Sequence, residues 1–326
     1  MERFVKPDTY AVWSNNENTR YMSTSGGAFT EFSKYIIANG GSVAGARYNP
    51  ECLVEHALVN DMNGIEQLRQ SKYMQSDLKD IFKQIKDKLN AGKLVGFSGA
   101  PCQVAGLYAY LGNDYDNLFT MDFICRGMNS PKAFKAWLNE EENKVGKKAV
   151  KVWFKYKEGG WKSSPMRTRI DFSGGIHEIY EGDKNLFMYG YLNSNLYIKP
   201  SCGDCRFKGV PRQSDVTFAD FWGIDPKFDD DKGTSMLLVN SEKGRNMFSK
   251  IQNEMQVHKM DFESIFAGNP MFSTSVIVPE NASVFLEDLD NMSFTDALKK
   301  NGGYPYPVPL WRKILRKMKR LLKNGS

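Results

Sequence analysis

Histidine is scarce in this sequence. Three occur in 326 residues, His56, His177 and His258, and none has the spacing of a metal-binding pair. Cysteine is scarce too, at five. No apolar run approaches the roughly 20 residues that a membrane-spanning helix needs. The N-terminal stretch MERFVKPDTYAVWSNNENTRY has no apolar core ahead of a small-residue cleavage site, so no secretory leader is expected. Internal repeats and low-complexity blocks are lacking. With 41% hydrophobic and 25% charged residues, disordered and collagen-like chains are excluded. The expectation is a cytoplasmic chain with reduced thiols. For such a chain disulfides explain cysteines poorly, and metal or redox sites explain them better.

The charge is uneven. The chain carries 44 Lys+Arg against 38 Asp+Glu, a formal +6. Residues 304–326 hold seven basic side chains and no acidic one, which leaves 37 basic and 38 acidic residues in the body. A nearly neutral body argues against a nucleic-acid partner.

Hydrophobic patterning predicts an α/β (α+β) fold of three parts. Residues 1–145 alternate strand-like runs (10–13, 42–48, 53–59, 93–97, 118–124) with helical ones (28–38, 77–89, 103–111, 131–143). That alternation reads as a mixed, partly parallel α/β domain. Residues 146–300 read as a second α+β region. A polar antiparallel set (151–157, 166–172, 176–180) comes first, then a helical stretch near 184–191 and the cysteine segment. Strands at 216–221 and 234–239 and a helix over 242–254 follow. Residues 301–326 form a proline spacer and a basic amphipathic helix.

The strongest local signal is Cys202-Gly-Asp-Cys205, the spacing that lets two thiols share one metal centre. Cys52, among apolar neighbours, reads as a packed thiol. Cys102 and Cys125 each follow a predicted strand, and in an open α/β sheet ligands bind at the carboxyl ends of strands. Cys102 also sits at a helix start, where backbone N–H groups favour a thiolate. Spacing alone leaves two readings open: one centre held by Cys102, Cys125, Cys202 and Cys205, or two structural thiols beside an isolated Cys-x-x-Cys. The turn Ser23-Thr-Ser-Gly-Gly27 opens a helix and suits a phosphate; a plain cap and turn is the alternative. Lys72, within Gln70–Ser76, could neutralise a phosphate or simply stand in an exposed loop.

Six segments come in one order: Ser25-Gly-Gly-Ala-Phe-Thr30, Ser71-Lys-Tyr-Met-Gln-Ser76, Phe97-Ser-Gly-Ala-Pro-Cys-Gln-Val-Ala-Gly-Leu107, DFICRGMNSP from Asp122, Cys202-Gly-Asp-Cys205, and DVTFADFWGI from Asp215. Together, over about residues 8–255, they resemble the coenzyme F420-reducing hydrogenase/dehydrogenase beta-subunit family. Chlorophyll-cycle reductases share this core, as do bacterial proteins linked to surface-polysaccharide gene clusters. The resemblance implies an oxidoreductase with FAD beside a [4Fe–4S] cluster, the second region bringing its cysteines near the domain interface. It assigns Cys102, Cys125, Cys202 and Cys205 to the cluster. It places the flavin near Ser25, Gly26 and Gly27, near Lys72, Tyr73 and Ser76, and near Ser98 and Gly99. Asp220 and Trp222 are expected to line the cluster or the flavin. Many members open with closely spaced cysteines that this sequence lacks, so an external donor is expected, such as a ferredoxin or a flavin-linked reductase. Arg126 stands where the family usually has His, and a permanently charged guanidinium shuttles no proton near neutral pH. The deazaflavin substrate is therefore not carried over.

From Leu310 to Lys323 apolar and basic residues fall on opposite helical faces, behind Pro305, Pro307 and Pro309. The pattern predicts peripheral attachment to an anionic membrane surface. The competing reading of the whole chain is non-catalytic: four thiols holding structural zinc in a membrane-recruited scaffold.

Overall fold

The computed structural model describes residues 2–306. The basic segment 310–323 and most of its proline spacer lie outside the described residues. No helix among the described residues is long and apolar enough to cross a membrane.

Eleven strands are described: β1 (Asp8–Ser14), β2 (Ser42–Tyr48), β3 (Val54–Val59), β4 (Val95–Ser98), β5 (Leu118–Phe123), β6 (Ala149–Tyr156), β7 (Arg167–Phe172), β8 (His177–Glu181), β9 (Val216–Asp220), β10 (Ser235–Val239) and β11 (Met255–Met260). The helices are α1 (Glu17–Tyr21), α2 (Ala28–Ala38), α3 (Met62–Leu68), α4 (Ile81–Asn90), α5 (Pro101–Leu111), α6 (Pro131–Val145), α7 (Leu186–Asn193), α8 (Glu242–Ile251), α9 (Ser264–Gly268), α10 (Ala282–Asp288) and α11 (Phe294–Lys300).

Eight strands form one mixed sheet in the order β11-β1-β10-β9-β5-β4-β2-β3. β2, β4, β5 and β9 are parallel neighbours. β1 runs the same way as β9, because two antiparallel steps through β10 restore the direction. Five carboxyl ends therefore share one edge of the sheet. Its central strands are largely buried on both faces, as in a sheet covered on both sides; all five residues of β10 are buried. On one face Phe32 and Ile36 of α2 and Met247 and Phe248 of α8 pack over Val43, Phe119 and Leu237. On the other, Ile81 and Ile85 of α4 and Val104 and Leu107 of α5 cover Val95 and Phe97. Gly96 sits between these two β4 residues because Ile36 Cδ1 fills the space of a Cβ there, only 2.6 Å from where it would lie.

The polar run after residue 146 forms the expected antiparallel sheet, β6-β7-β8. It encloses a second core with α6, α7, α10 and α11, around Trp137, Phe154, Phe187 and Tyr197. The expected boundary at residue 145 does not divide the large sheet. β9, β10 and β11 return to it, and β9 pairs in parallel with β5 through Met121–Val216. The helix expected from Asp77 begins instead at Ile81. Asp77 is held to β3, its N–H donating to Val54 O at 2.9 Å and its carbonyl accepting from His56 N at 2.8 Å.

Candidate functional site

Two local devices set the carboxyl edge. α5 starts with Pro101 in its first turn, and the Gln103 side chain turns back to accept the Ala100 N–H at 2.9 Å. This fixes Cys102 in the first turn, directly after β4. β5 ends at Phe123, and Cys125 follows beside it. Across from them a short 3-10 turn, Pro200–Cys202, presents Cys202 and then Cys205.

All four cysteines line one pocket, together with Arg126, Lys208, Arg212 and Met271. Burial pushes the Cys125 thiol up to about 12, Lys208 pulls the other way, and the other three thiols add to the rise. Cys102 is raised by burial first and then by Cys202 and Cys205. The Met128 N–H donates to Cys202 Sγ at 3.4 Å. Neighbouring thiolates thus raise Cys102 and Cys125, and a positive centre among them would relieve that repulsion. Among the described residues no group of three or more His, Cys, Asp or Glu is drawn together as a single ion requires. Cys52 lies apart from these four. It is buried in the second core, and its thiol is pushed up to about 12 by burial.

The loops expected around a flavin meet beside this pocket. Thr24 Oγ1 accepts the Ser71 N–H at 2.8 Å, joining the glycine turn to the 71–76 loop. Ser76 Oγ accepts from Gln103 Nε2 at 2.9 Å, joining that loop to the helix that carries Cys102. Asn129 Nδ2 donates to Tyr73 O at 2.8 Å, joining it to the segment after Cys125. Gly99 anchors the next turn, its N–H donating to Met121 O at 3.1 Å.

Several expected residues are committed to the protein itself. Ser25 Oγ donates to Thr234 O at 2.7 Å. The Gly26 N–H donates to Ser235 Oγ at 2.8 Å, and a Cβ on Gly26 would lie 2.3 Å from Val12 O. Gly27 caps α2 at φ 92°, the left-handed region open to glycine. Lys72 donates to three carbonyls at the end of α3, those of Leu68, Arg69 and Gln70, at 2.8–3.3 Å. Asp220 ends β9 and pairs with Lys155 at 2.9 Å rather than lining the thiol pocket. Trp222, 39% exposed, stacks on Trp161 with centroids 4.7 Å apart, and the Lys155 ammonium lies 3.7 and 3.9 Å from the two rings.

Sequence reasoning missed Arg69. It is 4% exposed and pairs through Nη2 with Glu66 at 3.0 Å, while Nε and Nη1 are buried without a described acceptor. Gln70 Oε1, Asn129 Oδ1 and His56 Nδ1 also lack partners. These five of the eleven such atoms among the described residues lie on or against the 69–76 loop or the Ser98 turn. Buried polar groups are ordinarily satisfied, so this concentration suits a polar cofactor. The signal in sequence was only a charged residue at the end of α3, next to the motif.

His56 gives the site a pH dependence. Its Nε2 lies 3.1 Å from Ser98 O, and its ring stacks on Phe97. Burial pulls its pKa from 6.5 down to about 4, against the Ser98 carbonyl and with help from Lys72. Folded His56 stays neutral while the unfolded chain takes up a proton. Its contribution is complete above pH 6.5 and is lost as pH falls from 6.5 through 4, by about 3 kcal/mol. In urea titrations His56→Phe should flatten the fall in stability across that window; equal slopes in the two proteins would refute the assignment.

Comparison with known proteins follows the same outline. The family model for the C terminus of the coenzyme F420 hydrogenase/dehydrogenase beta subunit matches residues 92–264, a little over half of the chain. That range contains all four pocket cysteines and Asp220. Among solved structures, a chain of the F420-reducing [NiFe] hydrogenase complex from Methanosarcina barkeri, studied as a xenon derivative, superposes with a TM-score of 0.54 at 14% identity. The superposition covers 93% of each chain and shows a shared fold. No curated protein sequence matches.

Proposed function

The chain belongs to the coenzyme F420 hydrogenase/dehydrogenase beta-subunit family, and from that premise we propose an electron-transferring oxidoreductase with a [4Fe–4S] cluster and a flavin side by side. The observation that carries this reading is the convergence of Cys102, Cys125, Cys202 and Cys205, from three separate chain segments, on one pocket. Four thiolates match an iron–sulfur cluster.

When bound, a flavin exchanges electrons in pairs and an iron–sulfur cluster exchanges them singly. The chain's own part is to hold, orient and tune. Cys102 opens α5 just beyond β4 and Cys125 follows β5, both beyond the ends of parallel strands, and the Met128 N–H is aimed at Cys202 Sγ. The 70–76 loop touches the glycine turn, the α5 cap and the segment after Cys125, and so fixes the flavin region against the cluster pocket. Arg69, with two unpartnered nitrogens, would take the flavin's phosphate groups; Lys72 already spends its donors on three carbonyls.

Anaerobically purified protein should be brown, with absorption that bleaches on reduction and an EPR signal from the reduced cluster. Flavin should be released on denaturation. Arg69→Gln should lower flavin content on the order of tenfold, the scale of a lost charged hydrogen bond in a buried site, and leave iron unchanged. Colourless protein, or equal flavin in Arg69→Gln, would refute the respective parts.

A further inference from the structure

Three basic side chains line the thiol pocket, and they are not equivalent. Arg212 is paired with Asp122 at 3.1 Å, both buried, so its charge is matched within the protein. Arg126 and Lys208 have no such match. Arg126 Nη2 donates to Leu192 O at 3.1 Å and to Asn195 Oδ1 at 2.9 Å, and the guanidinium lies 5.5 Å from the Tyr191 ring centre. All three are neutral groups. Lys208 Nζ donates to Cys125 O at 2.5 Å and Met271 O at 2.8 Å, again neutral acceptors. No carboxylate is among the residues that line the pocket. Asp204, between the two cysteines of the Cys-x-x-Cys segment, is exposed.

Building such a site costs free energy, because two uncompensated cations are partly removed from water. Four thiolates around a cluster repay it, and they repay more when the cluster carries an additional electron. Coulomb attraction in a partly desolvated pocket is several times stronger than in water. The net charge of a cluster and its surroundings is one of the determinants of its reduction potential.

Resting on the cluster reading proposed above, we infer that Arg126 and Lys208 are a matched pair of positioning residues that raise the cluster's reduction potential. They do so by positive charge held against the ligand thiolates. Lys208 has a second task, since its two carbonyl contacts tie the Cys125 segment to Met271 and hold the pocket's walls together. The backbone N–H of Met128 on Cys202 Sγ acts in the same direction. The cluster is thereby poised to accept an electron more readily than one walled by neutral side chains.

The test is a potentiometric titration of the anaerobically purified full chain, followed by EPR of the reduced cluster, with iron content measured in parallel. Arg126→Gln should shift the midpoint to more negative potential at unchanged iron content. Arg126→Lys, which keeps the charge, should leave the midpoint near wild type. Lys208→Met should shift it the same way as Arg126→Gln. Because that substitution also removes two structural hydrogen bonds, Lys208→Arg is the control, expected to restore the wild-type midpoint. Wild-type protein with a normal cluster signal, but an unchanged midpoint in Arg126→Gln, overturns the inference and leaves the cluster reading standing. A shift in Arg126→Lys as large as in Arg126→Gln overturns it as well, since geometry rather than charge would then be responsible. Wild-type protein without an iron–sulfur signal overturns the cluster reading and the inference with it.

Discussion

Replacing Cys202 with serine should strip the protein of the proposed cluster. Iron and acid-labile sulfide should fall by more than about tenfold, and the brown colour should be lost while the chain stays folded. The reasoning is geometric. Cys202 Sγ receives the Met128 N–H and faces Cys102 and Cys125 across the pocket. Its backbone, meanwhile, is held separately by the 3-10 turn through its N–H to Lys199 O at 2.9 Å. The thiol can therefore change without unravelling the turn. A hydroxyl is a harder and far less acidic donor than a thiol, and soft ligands select iron–sulfur centres. Cys52→Ser is the internal control. Cys52 lies in the second core, away from the pocket lining, so iron should be unaffected while stability falls by about 1–3 kcal/mol as a hydroxyl is buried without a designed partner. Iron retained in Cys202→Ser, or lost in Cys52→Ser, would assign the wrong cysteines.

How much of this is legible in sequence follows from the length scale of each signal. α2 has its predicted bounds because Phe29, Phe32 and Ile36 keep a helical period over eleven residues. β10 reads correctly as buried because Met236 to Val239 is an unbroken apolar run. The short helices α10 and α11, seven residues each, span about two turns and give periodicity too little room. β11, MQVHKM, is a half-polar edge strand with one neighbour, β1, so its composition alone does not demand a strand. The return of β9 to β5 is a long-range pairing that local pattern does not encode, which is why a boundary near 145 looks natural in sequence. The cysteines are located by strand ends and family order together. Arg69 is not, because what distinguishes it is missing acceptors, a property of the fold. Lys72 shows the converse: its charge is readable, but the three carbonyls that occupy it are not.

The glycine turn is where a proposed cofactor role and an observed structural role meet, and Lys157 separates them. Lys157 is 5% exposed, and its ammonium donates to Arg20 O at 2.6 Å, Ser25 O at 2.6 Å and Lys232 O at 3.0 Å. It thereby clamps the end of α1, the turn before α2 and the segment before β10. Arg20 reinforces the same joint through its bidentate pair with Asp230 and its Nε–H to Gly233 O at 2.9 Å. Lys157→Met keeps the aliphatic stem and deletes the donors. Three carbonyls then lose their hydrogen bonds, each worth roughly 0.5–3 kcal/mol, while relief of the burial that pulls Lys157 from 10.5 down to about 7 returns part of that cost. A net loss of about 2–4 kcal/mol is expected, which lowers the melting temperature by about 3–6 °C for a chain of this size. The loosened turn should also release flavin, whereas iron should remain, because the clamp lies outside the thiol pocket. Differential scanning calorimetry, read beside flavin and iron content, checks all three. An unchanged melting temperature would mean that the three carbonyls find other donors, and the turn would then have to be assigned to the cofactor alone.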